Sequence, residues 1–287
     1  MLGSPNRDMN IEEEFKKLSQ WLEKNGYSKI TNEGKIICPI CLQSKHLEDF
    51  TKEHIEPDSI GGKQLTITCK KCNSRCGHEF DYAVTNFLKH QQLSLSGPNC
   101  KSQISIGSIK LNVSVENELG SPQITVHDKN NNPQKLKDAK NHFDKSSKEF
   151  KLSTSAKWSP VKLNRAFIKM AQLMSIPQEG YRFVLSECGK KISGIILGKC
   201  NHLNISNFIH KIKTDEEHQS GYYTISYDKI EVRICIIKLE RKIYQDYIYY
   251  MVVLPSDNCT WVDFNSTANK MYEQMKINPM NIVLDKS

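Results

Sequence analysis

Two cysteine pairs constrain this chain more than any other feature. Cys38-x2-Cys41 and Cys69-x2-Cys72 stand twenty-seven residues apart. Two such turns can surround one tetrahedral Zn²⁺ with four thiolates, at about 2.3 Å per bond. A site of that kind supplies folding energy to a unit too small for a core of its own. The expected consequence is a metal-stapled module over residues 35–96. Cys76, one turn past Cys72, is a fifth candidate ligand that reads rather as helix packing, and Cys100, Cys188, Cys200, Cys235 and Cys259 have no ligand spacing. Ligation requires reduced thiols. The N-terminus, MLGSPNRDMN, has no apolar core that could act as an export signal. A reducing, cytoplasmic setting is therefore expected, where metal ligation outranks disulfides.

Around that module the chain reads as a globular protein. Its hydrophobic fraction of 38% and mean hydropathy of −0.54 are too polar for a membrane protein, yet too apolar for a disordered one. No apolar run approaches the ~20 residues that span a bilayer, so no membrane partner is expected. The net charge is +8, and its basic excess lies wholly in residues 97–287, densest between Lys129 and Lys169. A positive face fits a polyanionic partner such as nucleic acid, and equally a solvated lysine-rich surface.

The elements follow from periodicity. Residues 1–34 carry an amphipathic helix, with Ile11, Phe15, Leu18 and Leu22 at helical spacing, Asn10 capping with Glu13, and Gly26 ending it. Lys35–Ile37 is a strand candidate, and a helix is predicted from about Asn73 to Leu88. The Ser94–Lys101 stretch, with Gly97 and Pro98, reads as a boundary. Beyond it, alternating Ile104 to Val115 and then Ile124 and Val126 predict strands; DKNNNPQK reads as a loop. Ser159-Pro160 opens a helix with Leu163, Phe167, Met170, Ala171 and Met174. Strands are expected over 222–227, 230–239 and 243–254, and a last helix over 267–276. Residues 97–287 therefore read as a basic α+β domain with an antiparallel sheet, serving DNA recognition or effector sensing.

Between and just after the cysteine pairs lie Glu53-His54-Ile55-Glu56-Pro57, Gly61-Gly62, and Asn73 directly behind Cys72. A carboxylate beside a histidine offers one hard oxygen ligand and one base that titrates near neutrality. Asn73 adds an oxygen donor, and a zinc knot would draw the three together. Lys63, Lys70, Lys71 and Arg75 flank them and suit phosphate contacts.

This segment, about residues 35–90, resembles the HNH nuclease family in its variant whose ββα-metal fold is stapled by a four-cysteine zinc. The shared pattern is CxxC, an acid followed by His and three residues later by Pro, a glycine turn, and CxxC with Asn behind it. The resemblance implies a structural Zn²⁺ on Cys38, Cys41, Cys69 and Cys72, and His54 as general base towards a water attacking a phosphodiester. Glu53 and Asn73 would hold a catalytic Mg²⁺ or Mn²⁺, although Asn73 could instead orient the histidine. Gly77 stands where a third motif residue would fall, which leaves His78 or Asp81 as candidate further ligands. The implied substrate is double-stranded DNA, nicked one strand per site, so a homodimer or partner protein could be needed for a double-strand break. The implied role is a bacterial restriction or phage-defence effector. Two other readings stay open: a non-catalytic zinc-dependent nucleic-acid-binding protein, and a nuclease silent until its C-terminal domain binds an effector.

Overall fold

A computed structural model describes residues 9–60, 62–91, 100–118, 121–145, 150–156, 159–200, 205–212, 220–227, 230–241 and 246–277. It is an α+β protein with antiparallel sheets among the described residues. Two compact units share the chain: one holds residues 1–82, 160–239 and 247–287, the other 83–159 and 240–246.

The larger unit begins with α1 (Ile11–Lys24). Asn10 caps it by accepting from the Glu12 amide at 2.9 Å, rather than pairing with Glu13. Three acidic residues in its first turn suit the positive end of the helix dipole. A single turn, α2 (Ser28–Thr31), leads to the hairpin of β1 (Lys35–Ile37) and β2 (Ser44–His46). The first cysteine knuckle lies between these strands.

A second hairpin pairs β3 (Phe50–His54) with β4 (Gln64–Cys69). The chain then turns directly into a helix. It starts as α3 (Lys70–Cys76), loosens into a π-helical turn over Gly77–Asp81, and resumes as α4 (Tyr82–Gln91). The expected helix at 73–88 thus begins three residues earlier, with Cys69 at its N-cap. That places Asn73 inside the helix.

The smaller unit is a four-stranded sheet in the order β7-β6-β5-β8, made of β5 (Cys100–Ile106), β6 (Ile109–Glu118), β7 (Ser121–Val126) and β8 (Lys151–Ala156). Ile104, Ile106, Leu111, Val113 and Val115 form its core with Ala139 of α5 (Pro133–Lys145). That helix corrects the loop reading of DKNNNPQK: only 128–132 is loop and short turn. The Asn132 side chain accepts from the Gln134 amide at 2.8 Å, so the last asparagine of the run is a helix cap. The boundary read at Ser94–Lys101 falls mostly on residues outside those described.

At Pro160 the chain returns to the larger unit as α6 (Pro160–Glu179), followed by α7 (Glu187–Ile196), capped by Ser186. A sheet in the order β10-β11-β12-β9 follows, from β9 (Ile209–Ile212), β10 (Gly221–Tyr227), β11 (Ile230–Arg241) and β12 (Asp246–Pro255). The last helix, α8 (Trp261–Ile277), starts six residues before the expected Thr267, because Thr260 accepts from the Asp263 amide and nucleates the first turn.

Helix α6 is the centre of this unit. Every residue from Ala166 to Ile176 is buried, the pattern of a helix packed on all sides. Phe167 stacks on Tyr250 of β12 at 4.5 Å. Gln172 donates to the Pro39 carbonyl in the first cysteine knuckle at 2.6 Å. Tyr181, fully buried just beyond the helix, donates to the Ile37 carbonyl. The cysteine module is thus held by side chains that lie more than 130 residues away in the chain.

Candidate active site

The four sulfurs of Cys38, Cys41, Cys69 and Cys72 all lie within 4.8 Å of one another. Cys41 Sγ and Cys69 Sγ are 3.9 Å apart. Tetrahedral sulfur at about 2.3 Å from a zinc ion has sulfurs about 3.8 Å apart, so the spacing fits. Hydrogen bonding among the thiols splits their acidities. Cys69 is lowered to about 6, chiefly by Cys38, and Cys41 is lowered too; Cys38 and Cys72 are raised. Four sulfurs at this spacing form a cage that could hold a metal cation. Cys76 is outside it: burial pushes its thiol up to about 12.

The cage joins the knuckle between β1 and β2, which carries Cys38 and Cys41, to Cys69 at the end of β4 and Cys72 in α3. Glu53 and His54 close β3, and alternation along the strand sends them to opposite environments. Glu53 is 4% exposed, whereas the His54 side chain is 26% exposed. Between them the ladder slips: Glu53 pairs with Thr66 and His54 with Gln64, leaving Leu65 as an extra residue. Such bulges re-aim side chains next to functional sites. Asn73 Nδ2 donates to the Lys52 carbonyl at 2.7 Å, tying α3 to the strand just before the pair.

His54 Nε2 lies 3.4 Å from Asp58 Oδ1, on the short turn Asp58–Ile60. The sequence reading passed over Asp58. Its signal, a carboxylate four residues after the histidine, was present but unremarkable in an exposed turn. Pro57 and Gly62 shape that turn: the Gly62 amide donates to the Pro57 carbonyl at 3.2 Å. A Cβ on Gly62 would lie 1.8 Å from the Glu56 carbonyl oxygen, so only glycine fits without backbone movement. Gly62→Ala is expected to cost about 1–3 kcal/mol. A urea titration would show it as a lower midpoint with unchanged slope; an unaltered midpoint would contradict the packing.

The other missed residue is Lys169. Its ammonium sits 2.5 Å from Glu53 Oε1 and 3.8 Å from Asp81 Oδ1, with the side chain 2% exposed. Glu53 Oε2 accepts from the buried Thr68 hydroxyl at 2.6 Å. Burial disfavours the Lys169 charge, but Glu53, Asp81 and Cys76 outweigh it and raise its pKa. Asp81 is raised by burial, with Lys169 opposing. The signal in the sequence was a lysine inside FIKMAQLMSI, a stretch with no other charged residue.

As arranged, Glu53 Oε1 faces Lys169 and Oε2 faces Thr68, each oxygen keeping a further acceptor site, and Asp81 also faces Lys169. Among the described residues the cysteine cage is the one group of three or more histidine, cysteine or carboxylate ligands close enough for a metal. His78 is exposed and is not part of that group. Of the basic residues flanking the site, Lys63, Lys70 and Lys71 are exposed. Arg75 instead binds Glu79 Oε1 at 3.3 Å and the Leu197 carbonyl at 3.1 Å.

A hairpin and helix thus meet at a four-thiolate cage that could hold a metal ion, with a partly exposed imidazole beside a buried acid. Residues 38–89 match the family described as HNH endonuclease. The match starts at the first cage cysteine and ends in α4, so it covers less than a fifth of the chain. It makes this segment a nuclease-type module; Lys169 lies outside it. No curated protein and no solved structure matches the chain. Among the described residues, no helix is long and apolar enough to cross a membrane.

Proposed function

We propose that this protein is an endonuclease that hydrolyses phosphodiester bonds of double-stranded DNA and leaves 5′-phosphate and 3′-hydroxyl ends. The observation that carries this reading is the half-exposed His54 at the end of β3, paired with Asp58, inside the segment that matches the nuclease family. His54 takes the proton from the attacking water, a role worth about 10²–10⁴-fold. Asp58 holds the ring and steadies the imidazolium that forms. Asn73 fixes the strand that presents the histidine. Zn²⁺ in the cysteine cage is structural, closed by four sulfurs and apart from the chemistry.

Mg²⁺ or Mn²⁺, when bound, would neutralise charge on the phosphate and on the departing oxygen. Glu53 and Asn73 are its proposed ligands, and Glu53 is held by Lys169 in this arrangement. Exposed Lys63, Lys70 and Lys71 offer phosphate contacts to a duplex. One site cuts one strand, so a double-strand break takes a homodimer, a partner or two encounters. A cytoplasmic restriction or phage-defence effector is the biological role that fits such an enzyme, by analogy alone.

The test is supercoiled plasmid incubated with the zinc-loaded protein and millimolar Mg²⁺ or Mn²⁺. Nicked circles that DNA ligase reseals without further treatment are expected. Nicks that ligase cannot reseal would refute the end chemistry, and intact supercoils would refute the reaction.

A further inference from the structure

Outside the family segment, two thiols meet that stand far apart in the chain. Cys188, buried near the start of α7, donates its thiol to the Cys259 carbonyl at 3.2 Å. Cys259 is partly exposed in the loop between β12 and α8, and the two thiols also hydrogen-bond to each other. Both are free cysteines. Their neighbours hold the approach. Asp257, two residues before Cys259, accepts from Arg182 and from Arg233, each at 2.7 Å. Trp261, two residues after it, lies under the Lys191 ammonium at 5.8 Å. Lys191 stands three positions from Cys188, on the same face of α7. The loop is thus fixed on both sides of Cys259, which gives the two sulfurs a high effective concentration towards each other. Burial pushes the Cys188 thiol up to about 11 and raises Cys259 too. Thiolate is therefore scarce at neutral pH and exchange is slow, which suits a sustained thiol–disulfide balance better than a brief pulse of oxidant.

We propose that Cys188 and Cys259 are a redox modification site, closing reversibly to an intramolecular disulfide by exchange with a low-molecular-weight disulfide such as oxidised glutathione. Cys259, the accessible member, attacks as thiolate; the glutathione disulfide bond breaks and one glutathione leaves. Cys188 then attacks Cys259 Sγ, the mixed disulfide breaks, and the second glutathione leaves. The protein gives up two electrons and two protons, and the two glutathione thiols released carry both. The new bond ties the start of α7 to the loop before α8. The far end of α7 meets the nuclease module, where the Leu197 carbonyl accepts from Arg75 of α3 at 3.1 Å.

The zinc-loaded full chain, equilibrated against a series of reduced and oxidised glutathione mixtures, tests this. Samples are acid-quenched, alkylated and digested, and the peptides are identified by mass spectrometry beside a measurement of bound zinc. Expected is a peptide pair joined through Cys188 and Cys259, formed with zinc still bound and lost again when reduced glutathione is restored. In Cys188→Ser, Cys259 should carry glutathione instead; in Cys259→Ser, buried Cys188 should stay reduced. Either variant serves if the other does not fold, and the wild-type result stands without them. Overturning results in the wild type are glutathione on Cys259 with no cross-link, either thiol joined to another cysteine, or both still reduced where half the glutathione is oxidised. A cross-link that appears only after zinc has left, or glutathione on Cys188 in Cys259→Ser, would overturn it as well. The nuclease reading does not enter these outcomes.

Discussion

Cys69→Ser is expected to remove the folded module, not to slow a reaction. Its sulfur is one of four in a cage whose members all lie within 4.8 Å, and it also ends β4 and caps α3. A structural zinc of this kind contributes about 10–16 kcal/mol of apparent binding free energy. Whole domains are stable by only about 5–15 kcal/mol, so losing even part of that term is decisive. The hairpin has little to fall back on: β1, β2, β3 and β4 are each six residues or shorter. Zinc content and far-ultraviolet circular dichroism of the purified variant would check it. Expected are loss of bound zinc and a non-cooperative melt. A cooperative melt at the wild-type midpoint, with zinc gone, would show that the cage is not structural.

The parts of the site that could be read in the sequence are those whose chemistry is local. Metal-ligand spacing is a property of one turn, so Cys38, Cys41, Cys69 and Cys72 were identifiable as a set, as was the adjacency of Glu53 and His54. Lys169 could not be assigned that way, since nothing in the order of residues tells which buried carboxylate a helix will meet 116 positions earlier. What could be noticed was the anomaly of a lysine in an apolar helix. The fold shows the same division. Strongly periodic α1, α6, β5 and β6 were legible. Helix α7 was hidden by its glycines, and Gly189 is there because a Cβ would lie 2.0 Å from the Phe183 carbonyl oxygen. Helix α5 was hidden behind an asparagine run that looks like loop until its last member is seen to cap. The return of the chain at Pro160 to the unit that holds the cysteine module is a tertiary fact, made by Gln172 and Tyr181 and absent from any local pattern.

His54→Ala carries the second large effect, and it separates catalysis from structure. The His54 side chain is partly exposed and pairs with Asp58, whose side chain is 83% exposed; it also acts electrostatically on Asp81, which keeps Lys169 as its partner. Removing it leaves no buried group unpaired, so folding and zinc content should be unchanged. Removing a general base costs about 10²–10⁴-fold in rate. The decisive measurement is the plasmid-nicking rate of His54→Ala beside wild type, at matched zinc content and equal Mn²⁺. Expected are nicking by the wild type and a loss of at least about 100-fold in a variant that melts normally. Equal nicking by the two proteins would show that this histidine is not the base, and the assignment of the site would fall.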